Sequence, residues 1–237
     1  MRLLVTGGRS LIGKAIVERR EKLGDEVWET SSRMNPGSSE KKGARTIAFD
    51  LENPTASVQA IEELFAIGLD GVVLNAASPT PPLRKFHRIP LPEISAFLRK
   101  NIDGNLWLLQ QVIPHFVKRG YGRIVFISSL MTEYATPGYS PYLIAKEAME
   151  GAIRQISVEY AGKNVIANTV RLGIFNTERN TEHLKDEAHR KAIVDRIGLG
   201  KLGDPAQAAE ALDVLLSEKT YIVGATIDVG GGLRIPS

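Results

Sequence analysis

The sequence predicts an α/β protein: one domain built on a doubly wound parallel sheet with helices on both faces. Three observations predict it. Short apolar runs alternate with longer amphipathic ones along the whole chain, the pattern of repeated strand–helix units. The first apolar run ends in a glycine-rich turn, TGGRSLIG (6–13), that leads into a helical pattern. Two further runs end in small polar residues, LNAAS and FISS, at the strand ends where open parallel sheets bind ligands.

Each element has its own signal. RLLVTGG reads as a buried strand entering a turn, and LIGKAIVERREKLG as a helix with one apolar face. DEVWETSSR and ARTIAFDL are the next strands, and PTASVQAIEELFAIG a helix opened by Pro54. LDGVVLNAAS is an apolar strand. The stretch from Pro92 to Gly120 is one long helical region, expected to break or kink near Pro114. GRIVFISSL is a strand, YLIAKEAMEGAIRQISVEYAG a helix and NVIANTVRLG a strand. Asp204 caps a helix over DPAQAAEALDVLLS, and ATIDVGGG completes the sheet. Residues 78–92 form a long proline-rich loop. Residues 176–203 form a polar, partly helical insertion, placed to act as a substrate lid.

Composition narrows the function. At 237 residues the chain suits a single domain over 1–237. Hydrophobic residues at 43% and charged ones at 24% exclude a disordered chain. A net charge of +3, with no basic face or aromatic platform, argues against nucleic acid as a partner. The absence of cysteine removes disulfides, thiol chemistry and cysteine-bound metal, and is compatible with a reducing cytoplasm. His87, His115, His183 and His189 have no metal-ligand spacing, so no metal is expected. No apolar run approaches the ~18 residues of a membrane span. The strand at residue 2 leaves no room for a removable signal, so the expected location is cytoplasmic.

The chemistry centres on YLIAK. Residues four apart share a helix face, with Cβ atoms about 5–6 Å apart. An ammonium at Lys146 beside a phenol at Tyr142 favours the phenolate, making Tyr142 a candidate general acid or base. Ser128 and Ser129 close a buried strand, where hydroxyls are expected to point into the ligand crevice, and Ser129 lies thirteen positions before Tyr142. Asn75, Ala76 and Ala77 close another strand in residues small enough to admit a ring or sugar. Asn101 sits inside a helix, where asparagine is a poor choice unless its amide frees a carbonyl for water.

In order along the chain, TGGRSLIG, Asp50 in FDL, LNAA, Asn101, Ser129, YLIAK, VRLG followed by Thr177, and TIDVGGG resemble the short-chain dehydrogenase/reductase family in its compact, single-domain, Rossmann-like branch. The resemblance runs from residue 6 to about 232. It implies a catalytic set of Asn101, Ser129, Tyr142 and Lys146. Tyr142 exchanges a proton with the substrate oxygen, Ser129 hydrogen-bonds that oxygen, Lys146 lowers the phenol pKa and holds the nicotinamide ribose, and Asn101 anchors a relay water. It implies that Gly7, Gly8, Ile12 and Gly13 surround the pyrophosphate. Asp50 and Leu51 meet the adenine, Asn75 to Ala77 lie beside the adenosine ribose, and Gly173, Phe175 and Thr177 clamp the nicotinamide. The family's middle loop glycine is replaced by Leu11, its usual proline before glycine by Leu172, and a common serine before the lysine by Ala145. Leu11 is compatible with a working loop if its φ is helical.

Cofactor choice turns on the end of the second strand. No carboxylate stands at Ser31 or Ser32, while Arg33 follows and Arg9 and Ser10 lie in the glycine loop. Hydroxyls plus guanidinium groups suit a 2′-phosphate, so NADP(H) is expected, with NAD(H) the alternative. Met131, Tyr134 and Tyr139, with Ser129 and Tyr142, are expected to line the site of a small carbonyl or alcohol substrate. Glu133 is expected to face solvent rather than a substrate amine. Arg179, Lys185 and Arg190 are candidate contacts for an acidic substrate, although a charged helix is more often simply a solvated face. Other readings are an NAD-dependent alcohol dehydrogenase, a dehydratase or isomerase on the same fold, and a regulatory protein that binds NADP(H) without turnover. The resemblance also implies a homo-oligomer, tetramer or dimer, with Trp107, Leu108 and Ile153 as candidate contacts, although ordinary core burial explains these three nearly as well.

Overall fold

The computed structural model describes residues 1–32, 39–40, 45–177, 184 and 186–233, with only the backbone of 39–40. In chain order the elements are β1 (Arg2–Val5), α1 (Leu11–Lys22), β2 (Glu26–Ser31), β3 (Ser39–Glu40), β4 (Arg45–Ala48), α2 (Val58–Ala66), β5 (Gly71–Leu74) and α3 (Leu91–Arg119). They continue with β6 (Gly122–Ser129), α4 (Ser140–Tyr160), β7 (Val165–Leu172), α5 (Glu187–Val194), α6 (Pro205–Ala211), α7 (Asp213–Leu216) and β8 (Thr226–Val229).

The strands form one sheet in the order β3-β4-β2-β1-β5-β6-β7-β8. All pairings are parallel except the short edge pair of β3 with β4. The chain builds outward from β1 through β2 to β4, then returns to the other side of β1 with β5. The loops after β1 and β5 therefore part at the centre of the sheet and open a crevice between them.

Side chains alternate across the sheet. Leu4, Val72, Ile124 and Phe126 face a core layer with Ile61 and Leu64 of α2, Leu108 and Phe116 of α3, and Met149 and Ile153 of α4. Leu3, Val5, Val73, Val125 and Ile127 face the other layer, with Ile16 and Val17 of α1, Ala208 and Ala209 of α6, and Leu215 of α7. Leu108 and Ile153 are thus core residues, the second of the two readings the sequence offered for them, and Trp107 is partly buried against the same layer.

Four other expectations change. α3 stays helical through Pro114 and ends at Gly120, whose φ of +66° suits glycine. Flanking burial at Val112, Ile113 and Phe116 offsets the one lost donor. The first turn after Pro54 is 3₁₀, over Pro54–Ser57. The helical run after Asp204 divides at Leu212, although Asp204 and Gln207 form the expected capping box. The edge strand β3 has no sequence signal of its own. Within the insertion, α5 is helical, whereas Arg179, His183 and Lys185 lie outside the described residues.

Candidate active site

The glycine loop is built by close approach. Gly7 has φ +64°, and a Cβ there would stand 3.0 Å from the Ala76 Cα. A Cβ on Gly8 would meet the Glu29 Cβ at 2.4 Å, and one on Gly13 the Gly7 carbonyl oxygen at 2.2 Å. All three positions thus need glycine in this geometry. Leu11 does not: it is the first residue of α1, and Asn164 is the one non-glycine with positive φ among the described residues. Ser10 caps the helix, its Oγ accepting from the Gly13 N–H at 3.1 Å and donating to the Gly7 carbonyl at 3.0 Å. The N–H groups of Leu11 and Ile12 stand in the helix's first turn, the place for an anion. The loop fits a pyrophosphate.

The end of β5 locks this loop. The Asn75 amide donates to the carbonyls of Thr6 and Gly7, both at 3.0 Å. The Thr6 hydroxyl accepts from the N–H groups of Asn75 and Ala76, also at 3.0 Å. Asn75 therefore acts on the loop itself rather than only beside a ribose. Thr6 is a site residue that sequence reasoning missed, although a hydroxyl just before a strand-end glycine was a usable signal.

At the β2 end, Ser31 is buried and Ser32 exposed, and Arg33 lies outside the described residues. Arg9 is 3.4 Å from Glu29, whose carboxylate also accepts from the Thr46 hydroxyl at 2.9 Å. Glu29 was missed. It shares a strand face with Val27 and Ser31, so its carboxylate turns up beneath Gly8.

The catalytic candidates meet where α3, α4 and β6 converge. Asn101, Tyr142 and Lys146 line one small cavity with Ala76 and Ala77. Lys146 is buried, donates to the Ile127 carbonyl at 2.7 Å, and lies over the rings of Phe126 and Tyr142 at 4.8 and 5.8 Å. Its ammonium is therefore fixed against the face of the Tyr142 ring. Asn101 donates to the Phe97 carbonyl and accepts from the Ser78 N–H, each at 2.9 Å. It ties α3 to the loop after β5. Its own carbonyl accepts from the Asn105 amide at 2.8 Å, so that carbonyl is not simply released, as the sequence suggested.

Ser129 ends β6 opposite Leu172 of β7, and its Oγ accepts from the Met131 N–H at 3.2 Å. Ser128 departs from expectation. It is buried and donates to Glu150 of α4 at 2.6 Å, so its hydroxyl is engaged by the protein. Glu150 is fully buried and also accepts from Thr132 at 2.9 Å and from Arg171 at 2.8 Å. Burial pushes its carboxyl pKa up, but the hydrogen bonds from Arg171, Ser128 and Thr132 outweigh this and hold it below the usual range. Glu133 is exposed, as expected, and also pairs with Arg171 at 2.8 Å. The signal for this missed network was spacing: Tyr142, Lys146 and Glu150 recur every four residues along one helix face.

The remaining candidates scatter more widely. Asp50 accepts from the Glu52 N–H at 3.0 Å, and a Cβ on Gly104 would meet the Leu51 carbonyl oxygen at 2.5 Å. Gly173 lies against Gly230, where a Cβ would come within 2.7 Å of its Cα. The Phe175 ring is buried against Gly203, so the ring itself is not exposed to a cofactor. Thr177 is half-buried. Tyr139 and Tyr142 form an edge-on pair with centroids 6.5 Å apart, and Met131 and Tyr134 are half-buried in the connecting loop. Arg190 pairs with Glu187 at 3.5 Å on the exposed α5. No group of potential metal ligands occurs among the described residues. Among the described residues no helix is long and apolar enough to cross a membrane.

Known proteins agree with this geometry. A family described as enoyl-(acyl carrier protein) reductase matches residues 8–234. The 3-oxoacyl-(acyl-carrier-protein) reductase of Vibrio cholerae is 32% identical over 238 residues, covering 97% of this chain and 96% of its own. A tropinone reductase homolog of Arabidopsis thaliana is 29% identical, covering 99% of this chain and 80% of its own. The crystal structure of an Agrobacterium tumefaciens 3-oxoacyl (acyl-carrier-protein) reductase with NADP bound superposes with a TM-score of 0.86 at 27% identity, covering 98% of this chain and 93% of that one. With the strand order, the glycine loop and the Tyr142–Lys146 face, these matches establish that the chain belongs to the short-chain dehydrogenase/reductase family of oxidoreductases.

Proposed function

We propose that this protein is an NADPH-dependent carbonyl reductase acting on a 3-oxoacyl thioester or a similar small ketone. The observation that carries the reading is Lys146, held by the Ile127 carbonyl against the ring face of Tyr142, in a cavity that also includes Asn101. The names and bound NADP of the relatives support the substrate class and cofactor.

Gly7, Gly8, Ser10, Ile12 and Gly13 would hold the pyrophosphate, Arg9 and Arg33 the 2′-phosphate, and Lys146 the nicotinamide ribose. Bound there, a reduced nicotinamide supplies hydride. Ser129 orients the substrate carbonyl, and Tyr142 donates the proton that turns the developing alkoxide into an alcohol. Lys146 stabilises the phenolate left behind. Met131, Tyr134 and Tyr139 line the substrate side, and residues 176–203 act as the lid of a single domain. The protein works in the cytoplasm as a homo-oligomer.

One observation favours NAD(H) as a second reading. The Glu29 carboxylate beside Arg9 offsets part of the charge offered to a 2′-phosphate and could accept from ribose hydroxyls instead. Fluorescence titration with NADPH and with NADH separates the two. The reaction itself is tested by NADPH oxidation with acetoacetyl-CoA and, in parallel, crotonyl-CoA. Turnover of the ketone alone supports carbonyl reduction. Turnover of the enoyl ester alone overturns it.

A further inference from the structure

Asn105 stands one helical turn after Asn101 on α3 and has no part in the mechanism above. Its residue surface is 1% exposed. Its Nδ2 donates to the Asn101 carbonyl at 2.8 Å. A carbonyl accepts and cannot donate, so this contact fixes which end of the amide is nitrogen. The other end, Oδ1, is buried and has no hydrogen-bond partner among the described residues. Asn105 lines the same small cavity as Asn101, Tyr142 and Lys146. A buried amide oxygen left without a donor is costly, which makes a polar cavity beside it a favourable place for water.

We propose that Asn105 is a positioning residue for proton transfer, its Oδ1 anchoring a water in this cavity that serves Lys146. In this chain the Asn101 carbonyl is already engaged by Asn105 Nδ2, so the relay runs by way of the Asn105 side chain. One hydrogen of the water goes to Oδ1, and the water oxygen accepts from Lys146 Nζ. After Tyr142 has given its proton to the substrate oxygen, Lys146 returns a proton to the phenolate. The water then gives a proton to the Lys146 amine and is reprotonated from solvent. No electrons move in these steps.

The kinetic part of the test rests on the proposed reductase activity, and a structural part does not. A crystal structure of the cofactor-free protein that shows ordered water supports the proposal if density bridges Asn105 Oδ1 and Lys146 Nζ. A dry cavity overturns it, whatever the protein's substrate. In kinetics, Asn105→Leu removes the acceptor and fills the space. With NADPH and acetoacetyl-CoA it should lower kcat by ~10-fold or more, enlarge the solvent deuterium isotope effect, and leave KM and NADPH affinity unchanged. Asn105→Ser keeps a hydroxyl that can donate to the carbonyl four residues back and still accept from water, and should restore most of kcat. A Leu variant with normal kcat and isotope effect, or a Ser variant as slow as Leu, overturns the relay role. If the Leu variant fails to fold, the Ser variant and the crystal structure still decide. No turnover by the wild type on any ketone counts against the reductase reading, while the cavity water still decides this one.

Discussion

Arg171 and Glu150 face each other inside the protein, with the Arg171 Nη2 and Nε donating to Glu150 Oε2 at 2.8 and 3.2 Å and the Nε also reaching Oε1 at 3.1 Å. Arg171 comes from the end of β7 and Glu150 from the middle of α4, two turns beyond Tyr142. Ser128 and Thr132 complete the carboxylate's shell, and the one Thr132 hydroxyl hydrogen is shared between Glu150 and the Ser129 carbonyl, which lies at 2.8 Å. The pair thus fixes the helix that carries Tyr142 to the strand end that carries Ser129.

Removing half of this pair should be costly. Glu150→Gln removes the buried carboxylate and leaves the half-buried Arg171 with Glu133 as its ion-pair partner, with an expected loss of about 3 kcal/mol in urea unfolding at neutral pH. The sign with pH follows from the depressed carboxyl. The stability that ionised Glu150 contributes is fully present above 4.5, the ordinary value, and is lost as pH falls through its lower folded value. The gap between wild type and Glu150→Gln should therefore narrow in acid. A gap that stays constant with pH would show that the charge is not what stabilises the contact.

Tyr142→Phe should abolish the proton step and leave the fold intact. Turnover should fall by ~100-fold or more, with NADPH titration unchanged. Comparable turnover by the variant would remove Tyr142 from the proposed chemistry.

The loop makes opposite predictions at two positions. Gly13→Ala should lose NADPH affinity, because its Cβ would sit 2.2 Å from the Gly7 carbonyl oxygen and force the loop open. Leu11→Gly should leave affinity nearly unchanged, since Leu11 already has helical backbone, and should lower stability by about 0.5–1 kcal/mol. Equal effects of the two substitutions on NADPH titration would contradict this account of the loop.

Arg9→Ala tests the phosphate reading. Loss of a charge-assisted hydrogen bond of about 1.5–3 kcal/mol should weaken NADPH binding by ~10-fold or more while NADH binding holds. Equal weakening of both cofactors would assign Arg9 to loop structure by way of Glu29 alone.

Local pattern made much of this molecule legible. Strand and helix order follow from apolar periodicity, and the Tyr142–Lys146 face from a spacing of four. The need for glycine at positions 7, 8 and 13 follows from a turn between strand and helix. These features depend on neighbours in sequence, which fix backbone geometry and side-chain direction. What tertiary structure alone decided depends on distant residues brought together. Glu29 comes up beneath Gly8 only once β2 is registered beside β1. The Ser128 hydroxyl is taken up by Glu150 on α4. Arg171 finds Glu150 across a strand–helix interface, and Asn105 is an ordinary helical polar residue until burial leaves its oxygen without a partner in a residue that lines the same cavity as Lys146. A sequence specifies which groups exist and how side chains alternate along each element. Only packing decides which charges and amides lose water, and a buried polar group must find a partner that no local pattern names.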